Sequence, residues 1–463
     1  MRILFITAGL TNLRNRANFY QESLMEELAL RGNRVSCLLT AENDSRIGLH
    51  VSSDDTRWTE THGGGKLYRI FNGGVYPGVY PQGGIGTRSP HRDIVASRRL
   101  RQAVLEIVHN EKPDVLSYQS LFGLPFNLIE EINSLGIRSV FTAHDYFSIC
   151  PTAHLFKPDG RRCRLQADSL ICDQCCKMSL NYPAFWFCKR LEEWAETRKA
   201  GDKVQKYIYR FRNAIGSANR LLNTLIRNNA SFSERRISAT SMLKSFTVLH
   251  CISKTQANVM DKLGGNTPNL KILPLFPPSM PIVWTNFHVE NTKLPIRFVA
   301  LNIHGSNKGS DLIAKTFSQL QHETIPFRLD IHGPNPVHML DSPYVRYHGR
   351  YHREDLDKIA RNSDFCLVPS TWDETLGFTG MEMMARGVPL IVSAWAGVSE
   401  FVQNNVNGFV FDPDNMSEFY SLVKDVATNQ TVTDSMKSQL VLTPAGFKTF
   451  SEHVGDMSNL FAA

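Results

Sequence analysis

Two glutamates, Glu374 and Glu382, flank a short loop and turn in the stretch FCLVPSTWDETLGFTGMEMMARGVPLIVSAWAGVSE at 365–400. Carboxylates at such positions accept hydrogen bonds from hydroxyl groups. Between them, the backbone N–H groups of Leu376, Gly377, Phe378 and Thr379 fall at the expected start of a helix. The first N–H groups of a helix have no intrahelical acceptor, and with the helix dipole they favour an anion. Hydroxyls on both sides of an anion is the chemistry of a diphosphate between two polyols, as in a nucleotide-sugar. Other residues suited to chemistry lie apart in sequence. His144 follows an apolar run in TAHD, and Lys308 sits in HGSNKGSDLI. Cys150, Cys163, Cys172 and Cys175 read C-x12-C-x8-C-x2-C.

These residues need elements to position them. Phe365 to Pro369 is a short apolar run that predicts a strand, and Thr371 to Gly377 a loop. Thr379 to Arg386 reads as a helix, with Thr379 as its cap and Gly387 suited to the left-handed position after it. Pro389 blocks continuation, and Leu390 to Ser393 starts the next strand. The result is a βαβ unit with its loop at the carboxyl end of a strand, where open α/β sheets bind ligands. The same alternation recurs earlier. Ile3 to Ile6, Val35 to Leu39, Val115 to Tyr118, Ser139 to Thr142 and Phe246 to Ser253 read as strands, with helices over 19–30, 94–110 and 126–135. A second set begins at Ile296 to Asn302 and continues with Phe327 to Ile331 and Val345 to His348. Between the two sets, Pro277, Pro278 and Pro281 and a polar run to Lys293 read as a linker. Gly63 to Gly65 and Gly73 to Gly86 read as loop. Asp412 and Asp414 form a D-x-D in a turn after a strand and read as a surface turn.

Composition sets the bounds. A chain of 463 residues predicts two or three domains, and an apolar fraction of 42% supplies their cores. The chain opens on a strand with no export signal before it, and no apolar run is long enough to span a membrane. That predicts a cytoplasmic protein with reduced thiols, so the cysteine spacing points to metal rather than to disulfides. Four thiolates suit a structural tetrahedral Zn²⁺ or an iron–sulfur cluster, and free, partly buried thiols are the alternative reading. The net charge is +7. From Lys189 to Lys244 thirteen Lys and Arg face five Asp and Glu, a local excess of +8. Phe185, Trp186 and Phe187 and then Tyr207, Tyr209 and Phe211 accompany it. Such a segment suits either a solvated helical insertion or contact with an anionic membrane surface, and no nucleic-acid-binding module is present.

The stretch 365–400 resembles the donor-binding segment of the GT-B retaining glycosyltransferases of family 4. That family's pattern is matched by Glu374, Gly377, Glu382, Ala385, Gly387, Pro389, Gly397 and Glu400. The resemblance implies an α/β fold of the GT-B type, two Rossmann-like domains facing a cleft. Residues 1–280 would form the acceptor-side domain, with a cysteine-containing and helical insertion at about 150–245. Residues 281–443 would bind the nucleotide-sugar, and 444–463 would cross back as a helix. It implies hexosyl transfer from a UDP- or GDP-sugar to a glycan or lipid-linked acceptor with retention, in polysaccharide or glycolipid biosynthesis. The enzyme would be cytoplasmic or peripheral on the inner membrane face, with no cofactor required for transfer. On the same resemblance Lys308 contacts the diphosphate, Glu374 the sugar hydroxyls, Glu382 the ribose, and His144 faces the sugar across the cleft. Gly333, Arg350 and Tyr351 belong to loops that wall the base, and Leu376, Gly377, Phe378 and Thr379 complete the donor site. The family carries an Arg about five residues before the Lys; here Asn302, Ile303 and His304 occupy that region. Arg14 and Arg16 stand where a Gly-Gly loop is usual. A nucleotide-sugar epimerase and a non-catalytic sugar-nucleotide-binding scaffold are the alternative readings.

Overall fold

The computed structural model describes residues 1–8, 16–42, 49–55, 65–71, 77–79, 85–87, 90–157, 159–164, 172, 175–176, 232–280, 294–303, 305–334, 336, 339–442 and 446–463. Two parallel sheets organise the chain. The first holds β1 (Arg2–Thr7), β2 (Arg34–Glu42), β3 (His50–Asp55), β4 (Lys66–Phe71), β7 (Val115–Tyr118), β8 (Arg138–Ala143), β9 (Val248–Cys251) and β10 (Leu270–Ile272). Between β4 and β7 the strands β5 (Pro77–Val79) and β6 (Ile85–Thr87) pair separately as a hairpin. The order across the large sheet is β10-β9-β8-β7-β1-β2-β4-β3, parallel throughout except for the edge strand β3. The second sheet holds β11 (Ile296–Leu301), β12 (Phe327–His332), β13 (Val345–Gly349), β14 (Phe365–Val368), β15 (Leu390–Ser393) and β16 (Gly408–Phe411). Its order is β13-β12-β11-β14-β15-β16, all parallel. This is an α/β architecture of two doubly wound sheets.

Central strands such as β7, β14 and β15 are buried at every position, as expected of parallel strands covered by helices on both faces. The strand β4 was not legible as one. Its sequence KLYRIF alternates between more and less buried positions near a sheet edge, between two stretches read as loop. The expected helix at 94–110 is two helices, Pro90–Ile94 and Arg98–Glu111. Ser97 breaks them and caps the second, its hydroxyl accepting from Leu100 N at 3.2 Å.

In the second sheet the strand order reverses between β11 and β14, which opens a crevice at their carboxyl ends. The C-terminal helix Phe450–Ala462 packs against the first sheet although it follows the second. Thr449 and Glu452 form its capping box. Arg138 donates to Leu460 O at 3.0 Å, and the Phe461 ring meets Phe5 edge-on. Residues 281–293, read as a linker, lie outside the described residues, as do Arg14 and the side chain of Arg16.

Candidate functional site

At the crevice between β11 and β14 lies a cavity of about 330 Å³, lined from both sheets. Its lining includes His144, Lys308, Glu374 and the run Leu376, Gly377, Phe378 and Thr379. Lys308 ends a short 3-10 turn, Ser306–Lys308, directly after β11. Gly309 follows with φ +78°, and a Cβ there would lie 2.0 Å from Pro369 O. Only glycine lets this turn press so closely on the loop after β14, and that contact brings Lys308 to Glu374. The Lys308 ammonium donates to Glu374 Oε1, and the Ser370 hydroxyl donates to Oε2. The Trp372 ring lies 5.2 Å from the same ammonium. Glu374 is held by its backbone too, donating to Trp395 O at 2.9 Å and accepting from Gly397 N at 3.0 Å.

The helix after this loop is Phe378–Met384, and its cap is Gly377 with φ +93°. Thr379 was expected to cap; it lies one position inside the helix instead. Glycine takes the cap because the chain must turn through the left-handed region there, which a threonine does at a cost.

The opposite wall comes from the first sheet. His144 follows β8, half-buried, with Nε2 at 2.8 Å from Gln119 Oε1. Removal from water pushes its pKa down to about 3, and His250 adds to the effect. The walls touch beside it: Thr375 Oγ1 donates to His144 O at 3.2 Å, and Ser253 Oγ to Thr375 O at 2.7 Å. Glu400 accepts from Thr255 N at 2.7 Å and so caps the helix Lys254–Gly264 of the other sheet. Arg162 grips Asp373 through two nitrogens and lies 4.3 Å over the Trp395 ring.

The remaining expected donor-site residues stand further out. Glu382 is 1% exposed, and its Oε1 accepts from Ser279 Oγ at 2.5 Å. Gly333, Arg350 and Tyr351 do not line the cavity, but Asn302 does. Asn302 donates to the Tyr351 hydroxyl at 3.1 Å and packs under Gly333, joining those two residues to the cavity's edge.

Residues 296–429 match the family model described as glycosyl transferases group 1. This part of the chain is similar to the group 1 glycosyltransferases. An uncharacterized glycosyltransferase of Methanocaldococcus jannaschii is 32% identical over 71 residues, 15% of this chain and 18% of that protein. The chain therefore spans under a fifth of the curated relative it matches. Among solved structures, sucrose-phosphate synthase from Thermosynechococcus elongatus is similar with a TM-score of 0.57 at 11% identity, covering 100% of this chain and 98% of that one. HepE of Anabaena, solved in complex with UDP, is similar with a TM-score of 0.54 at 13% identity over 100% of both chains. These likenesses identify the fold as GT-B.

The matched residues 296–429 do not include the cysteine block. Cys150, Cys163, Cys172 and Cys175 are all buried, with Cys176 beside them. Cys172 and Cys175 lie within electrostatic range of Cys150 and Cys163, and burial first, then these thiols, push Cys175 up to about 12. Arg236 donates to Cys172 Sγ at 3.5 Å. Among the described residues no group of three or more His, Cys, Asp or Glu is placed to hold a metal ion. The basic segment lies mostly outside the described residues. Where it is described, Arg235 is buried, donating to Asp93 and to Phe147 O, so it belongs to the core and to no solvated face. Asp412 and Asp414 form the expected surface turn, Asp414 N donating to Asp412 Oδ1 at 3.0 Å. Among the described residues no helix is long and apolar enough to cross a membrane.

Three site residues escaped sequence reasoning. Gln119 and Arg162 act through partners distant in sequence, which no local spacing reveals. Trp372 could have been noticed: it lies two residues before Glu374, and its buried indole N–H has no acceptor among the described residues.

Proposed function

We propose that this protein transfers a hexosyl group from a nucleotide-sugar to an acceptor hydroxyl with retention at the anomeric carbon. The observation that carries this reading is the Lys308–Glu374 pair on one wall of the cavity, with His144 on the other. A donor diphosphate competes with Glu374 for the ammonium, and the released carboxylate can then accept from sugar hydroxyls. Lys308 meets charge that grows on the leaving diphosphate, so its contribution is largest in the transition state. The first N–H groups of the helix after Gly377 add to it. Glu382 would bind ribose hydroxyls once Ser279 gives way, and Gly333, Arg350 and Tyr351 would wall the base. No side chain acts as covalent nucleophile in this scheme, and no cofactor takes part.

The UDP complex of HepE, a relative by fold, supports a nucleoside-diphosphate carrier, with a UDP- or GDP-sugar as donor. The charge excess of residues 189–244 supports a glycan or lipid-linked acceptor at an anionic membrane on its cytoplasmic side. Co-sedimentation with anionic vesicles but not with neutral ones is expected, and equal behaviour with both ends the membrane part.

A panel of UDP- and GDP-sugars tests the central reading. A binder at a hundred times its Kd should stabilise the fold by about 2.7 kcal/mol, read as a rise in melting temperature. Transfer that depends on an added acceptor is expected; isomerisation of the donor without acceptor, or no binding across the panel, overturns it.

A further inference from the structure

Behind His144, four polar side chains run through the interior of the first sheet. Their order is His144, Gln119, Thr142 and His250, and the last three are buried. Thr142 and His250 are register partners on β8 and β9, and Gln119 follows β7 directly. His250 Nε2 lies 2.7 Å from Leu273 O, and its Nδ1 lies 3.0 Å from Thr142 Oγ1. Gln119 Nε2 reaches Ser117 Oγ at 2.9 Å and Thr142 Oγ1 at 3.5 Å, while Gln119 Oε1 faces His144 Nε2 at 2.8 Å.

The direction of every bond follows from the far end. A backbone carbonyl only accepts, so His250 Nε2 carries the proton. In the neutral ring Nδ1 is then bare, and the Thr142 hydroxyl donates to it. The oxygen of Thr142 keeps lone pairs only for Gln119, which must present its NH₂ group there. The carbonyl end of Gln119 is left for His144, whose Nε2 must therefore donate. The other nitrogen, Nδ1, has no hydrogen-bond partner among the described residues and is not sealed from solvent, while His144 lines the cavity.

We infer that Gln119, Thr142 and His250 are positioning residues that hold His144 as the neutral tautomer protonated on Nε2, so that Nδ1 is presented to the cavity as an acceptor for a donor-sugar hydroxyl. The sugar half of this statement rests on the glycosyltransferase reading; the tautomer half rests on the hydrogen-bond chain alone. His144 is thereby a hydroxyl acceptor and neither a cation nor a proton donor toward the sugar. Its second neighbour, the Tyr20 ring, meets it edge-on at 5.9 Å.

The test is imidazole ¹H–¹⁵N correlation spectroscopy on the full chain with ¹⁵N-histidine at neutral pH, the His144 signals being identified by their loss in His144→Gln. A neutral Nε2-protonated ring is expected. In Gln119→Leu that preference should give way to a mixture of tautomers, while the His250 signal stays Nε2-protonated and reports an intact fold. Thr142→Val, which cuts the chain one bond further back, should weaken the preference less. A His144 ring protonated on Nδ1, or one whose tautomer survives Gln119→Leu unchanged, overturns the chain. For the donor that the nucleotide-sugar panel selects, Gln119→Leu should lower kcat/KM about tenfold, the order of one neutral hydrogen bond. Unchanged kcat/KM with the tautomer lost overturns the sugar half alone. A panel with no turnover removes the sugar half together with the glycosyltransferase reading, and the spectra still decide the chain.

Discussion

Lys308 and Glu374 neutralise each other, and this shapes what their loss should do. Both border open cavity space, so truncation leaves no sealed void. Lys308→Ala removes a cation aimed at developing charge. The expected fall in kcat is about a hundredfold or more, as for other single electrostatic donors, with circular dichroism unchanged. Glu374→Ala should lose a similar factor. Near wild-type turnover in both variants would place the donor elsewhere. Glu382→Ala should behave differently, because its proposed ribose contacts are the same in ground and transition states. It should chiefly raise KM for the donor. Since Glu382 is buried and holds Ser279, a drop in melting temperature is expected as well. The pairing itself was not legible. The sequence showed a lysine and a glutamate each suited to a donor, 66 residues apart, but their union depends on Gly309 pressing against Pro369.

At the level of elements, the second sheet was readable almost strand by strand. Its central strands β14 and β15 are short apolar runs buried at every position, whereas β11 and β12 each admit a partly exposed arginine and the edge strand β13 alternates. The first sheet was harder. Its edge strand β3 is largely exposed and its neighbour β4 alternates between more and less buried positions, so HVSSDD and KLYRIF carry weak signals near glycines. The role of Glu400 was visible only as part of a motif; its bond to Thr255 N spans 145 residues. The cysteine block is the element whose content most needs measurement. Its four thiols are all buried, Cys150 and Cys163 within the apolar cluster of the first sheet, and from their spacing we propose that they close on one structural metal ion. Elemental analysis of freshly purified protein should find about one equivalent of zinc or iron, and stripping it with a chelator should lower the melting temperature. Less than about a tenth of an equivalent, with all four thiols reactive in the folded protein, rejects the proposal.

For the molecule as a whole, buried neutral histidines set the response to acid. His250 and His453 are 0% exposed, and burial pushes their pKa values down to about 4 and about 3 from the usual 6.5. Below pH 6.5 the unfolded chain takes up protons at these sites that the folded chain refuses. Stability is therefore complete above that pH and lost progressively as pH falls toward 4, by at most about 1.4 kcal/mol per pH unit for each ring. The apparent melting temperature should fall between pH 7 and pH 5, and His453→Gln should flatten that slope. An equal slope in the variant would show that other groups control it.

His453 also belongs to the helix Phe450–Ala462, whose docking on the first sheet carries a separate consequence. Tyr20 and His453 meet at 2.7 Å, Arg31 donates to Ser451 O at 2.7 Å, and Phe461 fills the sheet beside Phe5. In the language of binding, this helix is a tethered ligand of the first domain. Its local concentration is fixed by a connection of a few residues and is on the order of millimolar. A chain ended at Leu442 should therefore lose melting temperature chiefly in the first domain. A synthetic peptide covering 446–463 should restore it in a saturable manner at high micromolar to millimolar concentration.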